Sequence, residues 1–357
     1  MTSYTISFIW TKKNDAGRCM KKGSYLYSVL IAVFAGLVVS VPVLAVRAVN
    51  PAEAVAEFFL LPFASRYSVG VLLNTSTLFV FAACGMCMSF QSGCFNLGGE
   101  GQIYLAGFIT AVLLNRFSFV PPLVLVPLVF AAVFCVCGLT GLFCAVCRVY
   151  RNINELLSSF LFSCALIPII DYLIVDCFRD EKKSLLATPF IADGFRLKSI
   201  LPPSQLNVSL FFAVALAIAF YCYLYKTKKG YVTRVCGKAE EFAEYCGYSV
   251  NSEKMRGMFI SAGCHGMSGF FAVTGTYFTC HSGFYSGMGW NALSVALMAG
   301  ANPLLVIPSA LVMSYMLVAA DQSVLMSGGS FDAANLIQAA VLIAISAHDF
   351  AGRKGKK

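Results

Sequence analysis

The stretch Cys94–Gly107, CFNLGGEGQIYLAG, sets four glycines beside Asn96, Glu100 and Gln102. Glycine weakens a helix by about 1 kcal/mol relative to alanine, and a carboxylate at bilayer depth costs a few kcal/mol more. A segment that carries both is one where a helix is interrupted for a reason. The surrounding chain says what such an interruption serves.

Both flanks are apolar. Of the 357 residues 59% are hydrophobic and 12% charged, and the mean hydropathy is +0.76, against roughly 45–50% apolar and 25% charged in soluble domains. Several runs approach the roughly 20 apolar residues that cross a hydrocarbon core of about 30 Å. Unbroken runs, with no water to satisfy free backbone groups, must be helical. The expected fold class is therefore an all-α polytopic membrane protein of about ten transmembrane helices, the short glycine-broken ones included.

The expected spans are Ser24–Val46, Tyr67–Phe90, Glu100–Leu114, Pro122–Cys147, Glu155–Val175, Leu206–Tyr225 and Met255–Phe278, followed by SGMGWNALSVALMAG, NPLLVIPSALVMSYMLVAA and DAANLIQAAVLIAISA. Residues 1–23 form an N-terminal segment, 24–350 the transmembrane domain and 351–357 a basic tail. Within the domain, Arg47–Arg66 is read as a mixed outer loop, 176–205 as an extracytoplasmic loop and 226–252 as a cytoplasmic one.

The net charge of +9 gathers in four places: Lys12 to Lys22, Arg148 with Arg151, Lys226 to Lys238, and Arg353 to Lys357. Cations confined to alternate loops mark the cytoplasmic side, so charge sets topology here and nucleic acid is not an expected partner. Both termini are placed in the cytoplasm, in agreement with an even number of crossings. No cleavable signal peptide is expected, because the first apolar run is long and lacks a small-residue cleavage site. Most of the 15 cysteines lie inside apolar runs, where a thiol behaves as a small hydrophobe. The pairs Cys84/Cys87 and Cys144/Cys147 have CxxC spacing without histidine or turn context, so no metal site is expected.

Three features bear on function. Gly98, Gly99, Glu100 and Gly101 open one short apolar helix ending LAG, and Gly287, Met288 and Gly289, followed by Trp290 and Asn291, open another ending MAG. Interrupted helices at corresponding places in two halves point to a transport path. Glu100 has two roles open to it, bracing the break or taking part in the path. Asn154 and Glu155 follow Arg151 at a membrane edge, where an acid in the first helical turn suits the dipole. In the basic loop, Gly237–Gly247 (GKAEEFAEYCG) reads as a short amphipathic helix with Gly247 as C-cap. Its acids Glu240, Glu241 and Glu244 favour protein docking over anionic lipid. GMSG, Gly266–Gly269, with His348 matches a serine-hydrolase pattern, but helix packing explains glycine and serine there equally well. No catalytic residues are expected, and no nucleotide-binding loop is present.

Four segments together resemble permease subunits of ATP-binding-cassette importers, in the branched-chain amino acid and simple-sugar superfamily and its nucleoside branch associated with basic membrane lipoproteins. FNLGGEGQ is similar to that branch's FN-[IL]-G-x-EGQ run through Phe95, Asn96, Gly98, Glu100, Gly101 and Gln102. INELLSSFLFS matches through Asn154 and Glu155, with Ser159 and Ser163 in place of threonine and asparagine. GKAEEFAEYCGY resembles the coupling-helix segment in Gly237, Ala243, Tyr245 and Gly247, whereas Ala239, Glu240 and Tyr248 depart from it. GWNALSVALMAGANP matches through Gly289, Val295, Ala296, Leu297, Gly300, Asn302 and Pro303.

The resemblance implies an importer permease of the bacterial cytoplasmic (inner) membrane. It implies nucleosides, purine nucleosides first, as solute, with a ribose-type simple sugar as the alternative and a proton-coupled secondary transporter as the rival of another class. It also implies partners: ATPase subunits that use ATP, a second permease subunit, identical or homologous, an extracytoplasmic solute-binding lipoprotein and membrane lipid. No cofactor is expected on this chain itself. Gly237, Lys238, Glu241, Phe242, Ala243, Tyr245, Gly247 and Tyr248 would face the ATPase. Asn96, Gly98 to Gln102, Asn154, Glu155, Trp290 and Asn291 would line or brace the path.

Overall fold

The computed structural model describes residues 29–38, 51–180, 184–326, 336 and 338–344. The N-terminal segment 1–23, the tail 351–357, His348 and half of the last apolar run lie outside the described residues. The first run is represented by α1, Val29–Val38. The helices that follow are α2 (Pro51–Ala64), α3 (Arg66–Gln91), α4 (Gly99–Arg116), α5 (Pro122–Arg151) and α6 (Glu155–Tyr172, continued by a π turn, Leu173–Cys177). Next come α7 (Ser209–Lys226), α8 (Lys228–Lys238), α9 (Glu240–Tyr245), α10 (Val250–Ala272, continued by a π turn, Val273–Tyr277), α11 (Met288–Met298) and α12 (Pro303–Met326). Five of the described helices, α3, α5, α6, α7 and α12, are long and apolar enough to span a bilayer.

Capping residues set where helices begin. Ser65 Oγ accepts from Ser68 N ahead of α3, Asn154 Oδ1 from Leu156 N ahead of α6, and Thr227 Oγ1 from Gly230 N ahead of α8. Pro122 opens α5 at a position where its missing N–H costs nothing, and Asn152 in the left-handed region ends that helix.

The centre is an antiparallel pair, α3 and α10, zipped by small residues. Ser92 fills the space beside Gly257, Gly85 lies against Ser261 and Cys264, Ser268 Oγ donates to Leu78 O (3.0 Å), and Asn74 Nδ2 donates to Thr276 Oγ1 (2.9 Å). On its other side α10 meets α5, where Gly141 backs on the Met258 carbonyl and Gly263 on the Phe134 ring. Without a hydrophobic driving force between helices in lipid, such close backbone approach supplies the packing. It accounts for the glycine and serine content of α10, GMSG included. α3 packs on α10 and α12 as α10 packs on α3 and α5, so α3–α4–α5 and α10–α11–α12 are related by an approximate two-fold.

One end of the bundle carries Arg148, Arg151, Lys226 and the α8–α9 segment. The opposite end is covered by 184–208, tied down by Thr188 to Thr279 and Cys280, by Ile191 N to Phe278 O and by Leu197 N to Thr274 O.

Two of the differences from the expectation lie within the bundle itself. Arg47–Arg66 was expected as a loop, yet Pro51–Ala64 is helical. The charges at Arg47 and Arg66 only frame a stretch of strong helix formers, and Phe58 is buried edge-on against Tyr315. SGMGWNALSVALMAG was counted as a crossing, but α11 has 11 residues, about 16 Å at 1.5 Å per residue, half the hydrocarbon core. The other half of that crossing is non-helical chain. Cys280 bonds Thr188 at the covered end, Phe284 lies at the level of Gly107, and Gly289 reaches Glu100.

Candidate functional site

The same device occurs in the first half. After α3, residues 92–98 climb beside α10, Ser92 at Gly257 and Asn96 at Ser261, before α4 starts. Irregular backbone at bilayer depth is tolerated only when buried in protein, and three of the freed donors here are taken by side chains. Gly98 N donates to Asn96 Oδ1 (3.0 Å), Leu97 N to Ser159 Oγ (3.0 Å) and Gly101 N to Ser163 Oγ (2.7 Å). Asn96 Nδ2 donates to Gln102 Oε1 (3.0 Å) and to Ser261 Oγ (3.2 Å). His265 Nδ1 lies 2.8 Å from the same Gln102 oxygen. An oxygen accepts, so Nδ1 carries the hydrogen and His265 is a positioning partner in this cluster.

Glu100 joins the halves. Its Oε1 accepts from Gly289 N (2.8 Å) and Trp290 N (3.1 Å), the first free amides of α11, while the residue itself stands in the first turn of α4. Two helix N-termini thus converge on one buried carboxylate. Gly99 and Gly289 make the approach possible, since a Cβ on Gly99 would lie 3.0 Å from the Gly289 Cα and 3.3 Å from His265 Nε2. Met86, Leu97, Trp290 and Leu293 complete a tight crevice beside the carboxylate.

Of the residues singled out in the sequence, Asn96, Gly98, Gly99, Glu100, Gly101, Gln102 and Trp290 meet at this junction, and Asn291 is buried one turn into α11. Asn154 and Glu155 do not meet it. Asn154 caps α6 and Glu155 pairs with Arg148 (3.3 Å) at the basic end. Sequence reasoning passed over His265 and Asp171, which had a signal as ionisable residues inside expected spans; it met Ser159 and Ser163 only as departures from the family pattern and gave them no role at the site.

At the basic end the expected single helix is two. Gly237 and Lys238 end α8, and only Glu240–Tyr245 forms α9. Gly237 belongs to the mount: its backbone abuts Gln91 O and Gly93 N so closely that a Cβ would clash. Ala243 is buried in a small cluster with Cys236 and Val250, and Glu240 pairs with Lys254 (2.8 Å). Gly247, at φ +79°, closes a Schellman motif with Gly247 N bonded to Glu244 O and Tyr248 N to Ala243 O. Held this way, Glu241, Phe242, Tyr245 and Tyr248 are presented outward, Tyr245 at 92% exposure. Among the described residues no group of three or more His, Cys, Asp or Glu side chains is placed to hold a metal.

Comparison with known proteins gives these features a family. Residues 68–346 match the family model described as branched-chain amino acid transport system / permease component. The chain is 35% identical over 317 residues to the "Probable riboflavin import permease protein RfuC" of Treponema pallidum (strain Nichols), covering 89% of this chain and 84% of that protein. It is 23% identical to the guanosine ABC transporter permease protein NupP of Bacillus subtilis (strain 168), over 92% of this chain and 94% of that one. It is 22% identical to the nucleoside ABC transporter permease protein NupB of Lactococcus lactis subsp. cremoris (strain MG1363), over 80% and 81%. This multi-pass membrane protein therefore belongs to the branched-chain amino acid transport system permease component family, as an ABC permease.

Proposed function

We propose that the chain is the permease subunit of an ATP-driven importer in a bacterial cytoplasmic membrane, carrying solutes that join a fused heteroaromatic ring to a five-carbon polyol or sugar. Riboflavin and guanosine, named for two relatives, are both of this class. The higher identity to the riboflavin permease makes riboflavin the first ligand to test and purine nucleosides the second. ATP is hydrolysed on separate ATPase subunits beneath the basic end. A second permease subunit completes the path, a solute-binding lipoprotein docks at the opposite end, and both termini lie in the cytoplasm.

The observation that carries this reading is the position of the α8–α9 platform. It exposes Phe242, Tyr245 and Tyr248 on a braced mount and rests, through Gly237, on residues 91–93. Residues 92 and 93 begin the non-helical segment that ends at the Glu100 junction. A push on the platform is thereby delivered to the break between the half-helices, as in a two-state shift biased by the ATPase.

Purification from native membranes in mild detergent, with co-purifying chains identified by mass spectrometry, tests the assembly. An ATP-binding chain and a second permease should be recovered, and both ATPase recovery and riboflavin or guanosine uptake should be lost when residues 237–248 are scrambled. A chain that purifies alone and moves solute without ATP would overturn the reading in favour of a secondary transporter.

A further inference from the structure

Three long helices, α5, α6 and α7, leave much of their surface uncovered. On α5 and α7 the exposed side chains at mid-span are apolar, such as Leu128, Leu139, Phe212 and Ile218, which suits lipid. The uncovered side of α6 borders different chemistry. Asp171 stands 16 residues after Glu155, about 24 Å up the helix, and is only partly buried. Its Oδ1 accepts from both the Tyr104 hydroxyl and Ser282 Oγ (2.7 Å). No donor among the described residues reaches Oδ2. Tyr285 lies within electrostatic reach of Asp171, Glu100 and Cys164, with its ring 4.7 Å from that of Tyr104. Farther along, the partly exposed Trp290 has its ring 6.1 Å from exposed Phe160.

Asp171 lies toward the covered end, since its partner Ser282 bonds Leu186 O through its amide, and a carboxylate with an open oxygen there faces water or a partner and not hydrocarbon. Rings interleaved with acceptors fit a flat solute with a hydroxylated tail. Phe160 and Asp171 are 11 positions apart, about 16 Å along the helix, comparable to a multi-ring heterocycle carrying a five-carbon chain.

We propose that this strip is the solute-contacting wall of the translocation path, with Trp290 and Tyr285 stacking on the heteroaromatic ring and Asp171 Oδ2 accepting from hydroxyls of the polyol or sugar. The recognition it assigns rests on the solute class proposed above; the assignment of the wall does not.

Cys164 is a native probe in the strip, and the exposed Cys135 on α5 and Cys222 on α7 are its controls. The assembled importer in native membranes is treated with a charged, water-soluble methanethiosulfonate, and each cysteine is quantified by peptide mass spectrometry. A thiol reacts through its thiolate, which forms in water, so Cys164 should label about tenfold faster than either control. Riboflavin or guanosine under ATP turnover should slow it. Trp290→Ala should lower uptake about tenfold, the scale of one lost stacking contact, with Trp290→Phe retaining most of it. Asp171→Asn should raise the KM for riboflavin more than it lowers kcat.

Cys164 labelling no faster than Cys135 would place the strip against lipid and overturn the proposal whatever solute is carried. Fast labelling with unchanged uptake in both Trp290→Ala and Asp171→Asn would overturn the recognition. Failure of the unaltered importer to take up either compound would overturn the solute class, and the recognition with it, while the labelling of the unaltered chain still decides the wall.

Discussion

The two interrupted helices solve one problem differently. α4 begins on groups of its own neighbourhood: Asn96, Ser159 and Ser163 take the amides of Gly98, Leu97 and Gly101. α11 begins at Gly287, in the left-handed region at φ +70°, and its next free amides are taken by Glu100, 189 positions earlier in the chain. Under the approximate two-fold, Glu100 corresponds to Gly289. A Cβ at Gly289 would meet Glu100 N at 2.5 Å and Glu100 Oε1 at 3.1 Å, so the junction has room for one side chain. One is sufficient. Two helix N-termini carry about half a positive charge each, which a single carboxylate balances, whereas a second would repel the first. The asymmetry between the halves is a consequence of their closeness.

The largest way to break this arrangement is Glu100→Ala. It leaves two buried donors of α11 unpaired and removes the charge between two positive ends, a loss of about 4 kcal/mol. The purified permease should show a sharply lower thermal midpoint in detergent and little transport. Glu100→Gln keeps an oxygen for both amides and removes only the charge, so it should cost about 1 kcal/mol. If Glu100→Gln left assembly and transport unchanged, the charge would have no part in the junction. Gly289→Ala attacks the same contact from the other half. The added methyl strikes backbone that cannot swing away, which costs about 3 kcal/mol, whereas Glu100 remains present. The midpoint should therefore fall by less than in Glu100→Ala.

How much of this was legible beforehand follows from where the information lies. The segment Cys94–Gly107 announced its interruption because glycine and glutamate are both expensive there, and the cations of Arg148, Arg151 and Lys226–Lys238 marked one end of the bundle. The echo at Gly287–Gly289 was visible as composition. That Glu100 reaches Gly289 was not, because a contact between residues 189 apart leaves no periodicity. α2 was hidden by a different cause: Arg47 and Arg66 made a loop of a stretch whose interior residues favour helix. The division at Ala239 between α8 and α9 was also invisible, since it depends on Lys254 holding Glu240 and on Ala243 seating beside Val250. Asp171 and His265 carried a readable signal in their charge and depth, and apolar neighbours masked it.

A sharper test of the comparison moves the carboxylate across the two-fold. With Glu100→Gly and Gly289→Glu combined, the acid would start from α11 and reach for the first amides of α4. If the halves are equivalent, the double variant should recover about 2 kcal/mol of the loss seen in Glu100→Ala, measured by the same thermal midpoint, because a carboxylate again caps two helix ends. No recovery would mean that the pocket around Met86, Leu97 and Leu293 shapes the acid for one direction only.

The smallest effect isolates the side of the junction that does not depend on Glu100. Ser163→Ala removes the acceptor of the Gly101 amide, and nearby Ser159 is committed to Leu97 N. Interhelical hydrogen bonds in membrane proteins average about 0.6 kcal/mol; a buried amide left unpaired raises the figure to about 1 kcal/mol. The loss should add to that of Glu100→Gln in a double variant, because the two groups bind opposite helix starts and share no atom. Strict additivity would mean that each half-helix is secured separately. A combined loss larger than the sum would mean that α4 must be seated before its carboxylate can hold α11, which makes Ser159 and Ser163 on α6 part of the junction.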